Sequence, residues 1–123
     1  MAWLYVILTI ILIIFIISRL KKPSDVKSVT TEEFKEGYRK AQLFDIREEK
    51  EFNTGHILGA RNLPLSQMRH RLTEVRPDQA VYLYDQNGSR IAQASKLLKK
   101  KRGVEEIVAL KGGFKKWTGK IKK

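Results

Sequence analysis

Residues 45–64 read Asp45-Ile46-Arg47-Glu48-Glu49-Lys50-Glu51-Phe52-Asn53-Thr54-Gly55-His56-Ile57-Leu58-Gly59-Ala60-Arg61-Asn62-Leu63-Pro64. Gly55 and Gly59 punctuate a loop in this stretch. Glu48 to Phe52 reads as a short helical turn, and Asn62-Leu63-Pro64 closes a short strand. The stretch begins where another strand ends. Gln42-Leu43-Phe44-Asp45-Ile46 is a brief apolar run finishing in polar residues, which suits a buried strand.

The same alternation continues on both sides. Upstream, Thr30 or Thr31 can cap a helix running through Phe34 and Tyr38, with Glu32 and Glu33 in its first turn. Downstream, Ser66 to Leu72 has helical spacing. Ala80-Val81-Tyr82-Leu83-Tyr84 is the clearest strand, β-branched and aromatic. The turn-rich loop Asp85-Gln86-Asn87-Gly88-Ser89 follows it. Ile91, Ala94, Ser95, Leu97 and Leu98 give a helix with a basic outer face, ended by Gly103. Glu106 to Leu110 is another strand, and Gly112-Gly113 opens a last short helix bearing Phe114 and Trp117. Strands alternating with helices predict an α/β domain with a mainly parallel sheet flanked by helices. Ligands in such sheets bind beyond the carboxyl ends of the strands, where the loop after Tyr84 lies.

The N-terminus is of another kind. Ala2 to Ser18 carries no charge, and its hydroxyls are limited to Tyr5, Thr9 and Ser18. Seventeen residues at 1.5 Å each give roughly 25 Å, enough to cross a hydrocarbon core with slight thinning or snorkelling of the flanks. Trp3 and Tyr5 suit one interface, and Arg19, Lys21 and Lys22 the other. A cleavable signal peptide would carry its positive residues before the apolar run, not after it. The expectation is a transmembrane anchor helix at 1–20, a basic juxtamembrane linker at 21–27 broken by Pro23, and a domain at 28–123. The positive-inside rule places the domain in the cytoplasm and the N-terminus outside the cell membrane.

Composition narrows the chemistry. The chain has no cysteine, which excludes disulfides, thiolate metal sites and cysteine catalysis. It holds 25 Lys+Arg against 13 Asp+Glu, a net charge of +12 over 123 residues. The distribution is uneven, with net +3 in residues 1–27, −1 in 28–85 and +10 in 86–123. Lys99, Lys100, Lys101 and Arg102 form a basic run that reads either as a solvated face or as a contact for anionic lipid headgroups. No stacking aromatics interleave with it, which disfavours nucleic acid. Neither histidine has a partner at metal-ligand spacing, so no metal is expected, and no cofactor. His70, between Arg69 and Arg71, reads as solvated.

The quoted stretch resembles the signature of rhodanese-like (sulfurtransferase) domains: D-x-R, then E-[FY]-x-x-G-H-I-x-G-A-x-N-[IL]-P. Asp45, Arg47, Glu51, Gly55, His56, Gly59, Asn62 and Pro64 stand at its fixed positions. Leu110-Lys111-Gly112-Gly113-Phe114-Lys115-Lys116-Trp117 resembles the family's C-terminal L-x-G-G-x-x-x-W element. The resemblance covers about residues 28 to 120. It implies a rhodanese-like fold, with His56 in a loop that braces the sheet. Asp45 and Arg47 are themselves expected to form a structural ion pair rather than a reaction centre. The whole chain resembles a single rhodanese-like domain behind one transmembrane helix, a bacterial type.

One departure from that pattern decides function. The family's active loop reads C-x-x-G-x-R, and here the aligned residues are Asp85, Gln86, Asn87, Gly88, Ser89 and Arg90. Gly88 and Arg90 are kept, and Asp85 stands where the nucleophilic cysteine would be. A carboxylate cannot hold sulfane sulfur as a persulfide, and no other cysteine can replace it. Asp85 is expected to accept hydrogen bonds from its own loop in the manner of a helix N-cap, with Arg90 as counter-charge. Asp85 as a nucleophile is a weaker alternative, because aspartyl-phosphate chemistry needs further carboxylates and a metal ion. The expected role is a binding or regulatory module with an unidentified protein partner. The alternatives are an enzyme with residual or altered chemistry, and a basic structural module lying against lipid.

Overall fold

The computed structural model describes residues 1–20 and 26–123, apart from the side chains of Arg19 and Leu20. Helix α1 (Ala2–Leu20) comes first. After it the chain forms β1 (Val26–Val29), α2 (Thr31–Gly37), β2 (Gln42–Asp45), α3 (Glu49–Thr54), β3 (His56–Ile57) and β4 (Arg61–Asn62). The last elements are β5 (Val81–Tyr84), α4 (Ile91–Leu97), β6 (Ile107–Leu110) and β7 (Ile121–Lys122).

Five strands make one parallel sheet in the order β1-β6-β5-β2-β4. β3 and β7 pair separately and antiparallel, His56 facing Lys122 and Ile57 facing Ile121. Parallel strands need crossover connections, and α2 lies between β1 and β2, α3 between β2 and β4, and α4 between β5 and β6. Alternate residues feed two cores. Phe44, Val81, Leu83, Ile107 and Ala109 face α4, Met68 and Val75. Leu43, Tyr84, Val108 and Leu110 face α2 with Phe34 and Tyr38. Both sheet faces are therefore covered, which is why β6 is buried at every position.

Local signals explain the helices. Thr30 caps α2, its hydroxyl accepting from Glu33 N at 3.4 Å, with Glu32 and Glu33 in the first turn. After α4 the chain takes a π-helical turn, Leu98–Arg102, and Gly103 ends it at φ 75°. The helical spacing at Ser66–Leu72 becomes two separate 3-10 turns, Met68–His70 and Leu72–Glu74. Buried Met68 anchors this stretch, and no continuous apolar stripe exists to carry a longer helix.

One boundary differs from expectation. Val26 and Lys27, expected to end a linker, start β1 and pair in register with Ile107 and Val108. The edge strand is hard to read because only Val29 of its four residues is buried. The rest of that linker, with Lys21 and Lys22, lies outside the described residues, as does the Arg19 side chain.

Helix α1 forms as expected, and residues 2–18 are all exposed along it. Thr9 satisfies its hydroxyl within the helix, donating to the Tyr5 carbonyl at 2.7 Å. Among the described residues, however, no helix is long and apolar enough to cross a membrane. The uncharged run 2–18 covers roughly 25 Å at 1.5 Å per residue, against a hydrocarbon core of ~30 Å.

Candidate functional site

The loop Asp85–Arg90 leaves the carboxyl end of β5 and feeds α4. Asp85 is 2% exposed. Its Oδ1 accepts from the Gly88 backbone N–H, and its Oδ2 accepts from the Arg90 N–H at 2.8 Å. The loop can fold back this tightly because Gly88 adopts φ 95°, a conformation that costs glycine little. Asn87 Oδ1 accepts from Ser89 N at 3.0 Å and sets the turn within it. The Asp85 carboxylate thus lies inside the ring of backbone it closes.

Arg90 contributes to that ring by its backbone alone. Its side chain is exposed, and no Arg90–Asp85 ion pair forms among the described residues. The expected guanidinium counter-charge gives way to the amide, because the chain turns into α4 at Arg90.

Arg47 braces the loop from beneath. It is 3% exposed and pairs with fully buried Asp45, Nη2 to Oδ2 at 2.8 Å. Its Nε also donates to that carboxylate, and its Nη2 donates to the Gly55 carbonyl at 2.6 Å. Its remaining arm, Nη1, donates to Gln86 Oε1 at 3.0 Å. The guanidinium lies 4.3 Å from the Phe114 ring centroid. Burial opposes the charge on Arg47, but the hydrogen bonds and charge of Asp45 outweigh it and hold Arg47 above the ordinary arginine value. Burial pushes the neighbouring Tyr84 phenol above its usual value, with the Asp45 charge adding to the effect. The Tyr84 oxygen accepts from Ile57 N at 3.0 Å.

The Gly112-Gly113 pair supports the loop from its other side. Phe114 N donates to Asp85 O at 2.7 Å, and Lys115 N to Gln86 O at 3.1 Å. A Cβ on Gly113 would sit 2.6 Å from Asp85 O and 2.7 Å from Asn87 N. Close backbone approach therefore requires glycine at this position.

The other signature residues make contacts within the fold. His56 stacks on Phe52 at 3.7 Å, and its Nδ1 is 2.9 Å from the Phe52 carbonyl. Asn62 Nδ2 ties the carbonyls of Asp45 and Arg47, at 3.0 and 2.9 Å. Gly59 turns at φ 93°, and Pro64 is buried with its carbonyl accepting from Gln67 N. Trp117 packs edge-on to Phe34 and Tyr38. His70 is exposed. Arg102, expected on the lipid-facing run, is instead drawn inward, its Nε donating to the Val75 carbonyl at 2.7 Å. Among the described residues no group of His, Asp or Glu gathers at metal-binding spacing.

A cavity of about 90 Å³ opens at the loop, lined by Arg47, Glu51, Asp85, Gln86, Ser89 and Arg90. That is room for a few water molecules. With both Asp85 oxygens accepting from backbone N–H groups, the carboxylate is a weakened nucleophile. The sequence reading missed the Arg47–Gln86 and Arg47–Phe114 contacts. They join three segments far apart in the chain, and no local pattern signals them.

A profile of the rhodanese-like domain matches residues 30–120. The protein YqhL of Bacillus subtilis is 60% identical over 96 residues, covering 78% of this chain and 75% of that protein. The thiosulfate sulfurtransferase GlpE of Shewanella oneidensis is 30% identical over 79 residues, covering 64% of this chain and 77% of that one. The crystal structure of a rhodanese-related protein from Thermoplasma volcanium superposes with a TM-score of 0.66 at 25% identity, covering 74% of this chain and 89% of that one.

Proposed function

Since the chain belongs to the rhodanese-like domain family, we propose that it is a membrane-anchored member that has given up sulfur transfer and works as a binding or regulatory module. The observation that carries this reading is the Asp85 carboxylate closed within its own loop by Gly88 N and Arg90 N. A sulfurtransferase takes sulfur from a donor onto a thiolate, breaking the donor's S–S bond and forming a persulfide. Asp85 offers oxygen at that position, and the chain has no thiol anywhere. The negative charge that the loop's amides would stabilise on a persulfide is supplied by the protein itself. The cavity of about 90 Å³ is too small for a bulky peptide side chain. Partner contact therefore falls on the exposed outer face of the loop, at Gln86, Asn87, Ser89 and Arg90.

Helix α1 supplies the membrane part of the proposal. Its side chains from Val6 to Ile17 are apolar apart from Thr9, and all are exposed. An uncovered apolar surface of that size calls for a nonpolar environment. Its shortfall against the core thickness is within what bilayer thinning and snorkelling of flanking basic residues accommodate. The basic residues after the run favour a cytoplasmic domain and an external N-terminus.

The test is thiocyanate formation from thiosulfate and cyanide. The wild-type chain forms none above the buffer rate, and a clear wild-type rate overturns the proposal. Asp85→Cys restores measurable transfer, because Arg47, Gly88 and Gly113 still shape the loop.

A further inference from the structure

A groove of about 1200 Å³ runs along the α4 face of the sheet, from the active loop to the edge strand β1. Its floor is aliphatic, formed by Val26, Ile91, Ala92, Ala109 and Leu110. Lys96, Lys99, Lys100 and Lys111 line it, and among the described residues no carboxylate does. Ser95, 2% exposed, also lines it, and its hydroxyl has no hydrogen-bond partner among the described residues. A buried unpaired hydroxyl is costly, and a polar ligand atom at the groove wall would relieve it.

We propose that this groove receives an anionic phospholipid, its phosphate held by the lysines and its glycerol and upper acyl segments lying on the aliphatic floor. The proposal rests on the membrane reading of α1. An occupant must be anionic to match Lys96, Lys100 and Lys111 and apolar to match the floor. A nucleic acid is anionic but, among the described lining residues, would find no aromatic ring to stack on. Helix α1 is apolar but contains no acidic residue, and a second copy of the chain brings a further net +12. Phospholipid has both properties and is close at hand. The groove's edge strand begins at Val26 and α1 ends at Leu20. The chain between them can reach at most ~20 Å, which keeps the groove near any bilayer that holds α1. Tethering also raises the effective lipid concentration at the groove.

The experiment uses the full chain with phosphatidylcholine vesicles, alone or containing about one third phosphatidylglycerol. Flotation reads membrane insertion, and amide hydrogen exchange reads the groove. Flotation occurs with both vesicles, while exchange in Val26–Val29 and Ile91–Lys100 slows roughly tenfold only with phosphatidylglycerol. The triple variant Lys96→Gln, Lys100→Gln, Lys111→Gln floats normally but loses the protection. A control with Lys120→Gln, Lys122→Gln and Lys123→Gln removes the same charge outside the groove and keeps it. Flotation with exchange equal in the two vesicles overturns the groove proposal alone. No flotation overturns the anchor reading and this proposal with it. Equal protection by inorganic phosphate in solution also overturns it, by showing a small-anion site instead.

Discussion

Arg47 donates from Nη1 to Gln86 Oε1 at 3.0 Å while its other nitrogens grip Asp45 and the Gly55 carbonyl. One buried guanidinium thus links the end of β2, the turn after α3 and the loop that begins at Asp85. Arg47→Lys keeps a positive charge but cannot reach all three, and it leaves Asp45 buried without a full partner. A loss of about 3–5 kcal/mol is expected from such a broken pair, read by urea unfolding. Gln86→Ala removes only the outermost contact, and about 1 kcal/mol or less is expected.

Asp85→Asn tests the closed loop. An amide places an NH2 group where one of two backbone donors now finds an oxygen, so one hydrogen bond is lost. Stability falls by about 1–3 kcal/mol in thermal or urea unfolding. An unchanged midpoint would show that the loop does not depend on the carboxylate.

Gly113→Ala sets a Cβ against the backbone of Asp85, Gln86 and Asn87, at φ 72° and ψ −165°. That region is essentially reserved for glycine, and the fixed backbone cannot move aside. A loss of about 2–4 kcal/mol is expected from strain and overpacking together. Gly112→Ala meets Lys116 at its Cγ (2.5 Å) and Cβ (3.3 Å), so that side chain must change rotamer and shift. It retains the cost of a positive φ, about 1 kcal/mol.

Acid should weaken the Arg71–Glu74 contact, Nε to Oε2 at 2.5 Å. The Arg71 hydrogen bond holds the Glu74 carboxyl below its ordinary value. A depressed carboxyl stabilises the fold above the unfolded pKa, and that stability is lost as pH falls through the folded value. The pair is one third exposed, so the effect is small, about 0.5 kcal/mol. The unfolding midpoints of wild type and Glu74→Gln should differ near pH 6 and converge near about pH 3.

How far the fold could be read depended on burial. Gln42–Asp45, Val81–Tyr84 and Ile107–Leu110 stood out as strands because each is an apolar run buried on both faces. Val26–Val29 did not, because an edge strand keeps two of its four residues exposed and so looks like linker. β3 and β7 escaped notice because two-residue strands have no period to detect. The loop's residues were legible from their spacing. Its supports were not, since Gln86, Phe114 and Gly113 act on the loop through contacts that only folding creates.

The sequence by itself determined what this protein lacks: with no cysteine, no persulfide can form, whatever the fold. It also determined the α/β alternation and the apolar N-terminal run, because hydrophobic pattern is a property of local order. Only the tertiary structure decided what Asp85 does instead. Whether a carboxylate points at solvent or is enclosed by its own backbone depends on Gly88, Gly113 and Arg47 meeting around it, and distances across the chain are set by packing. Packing likewise brought Lys111 beside Lys96 and Lys100, turning scattered basic residues into one lined groove.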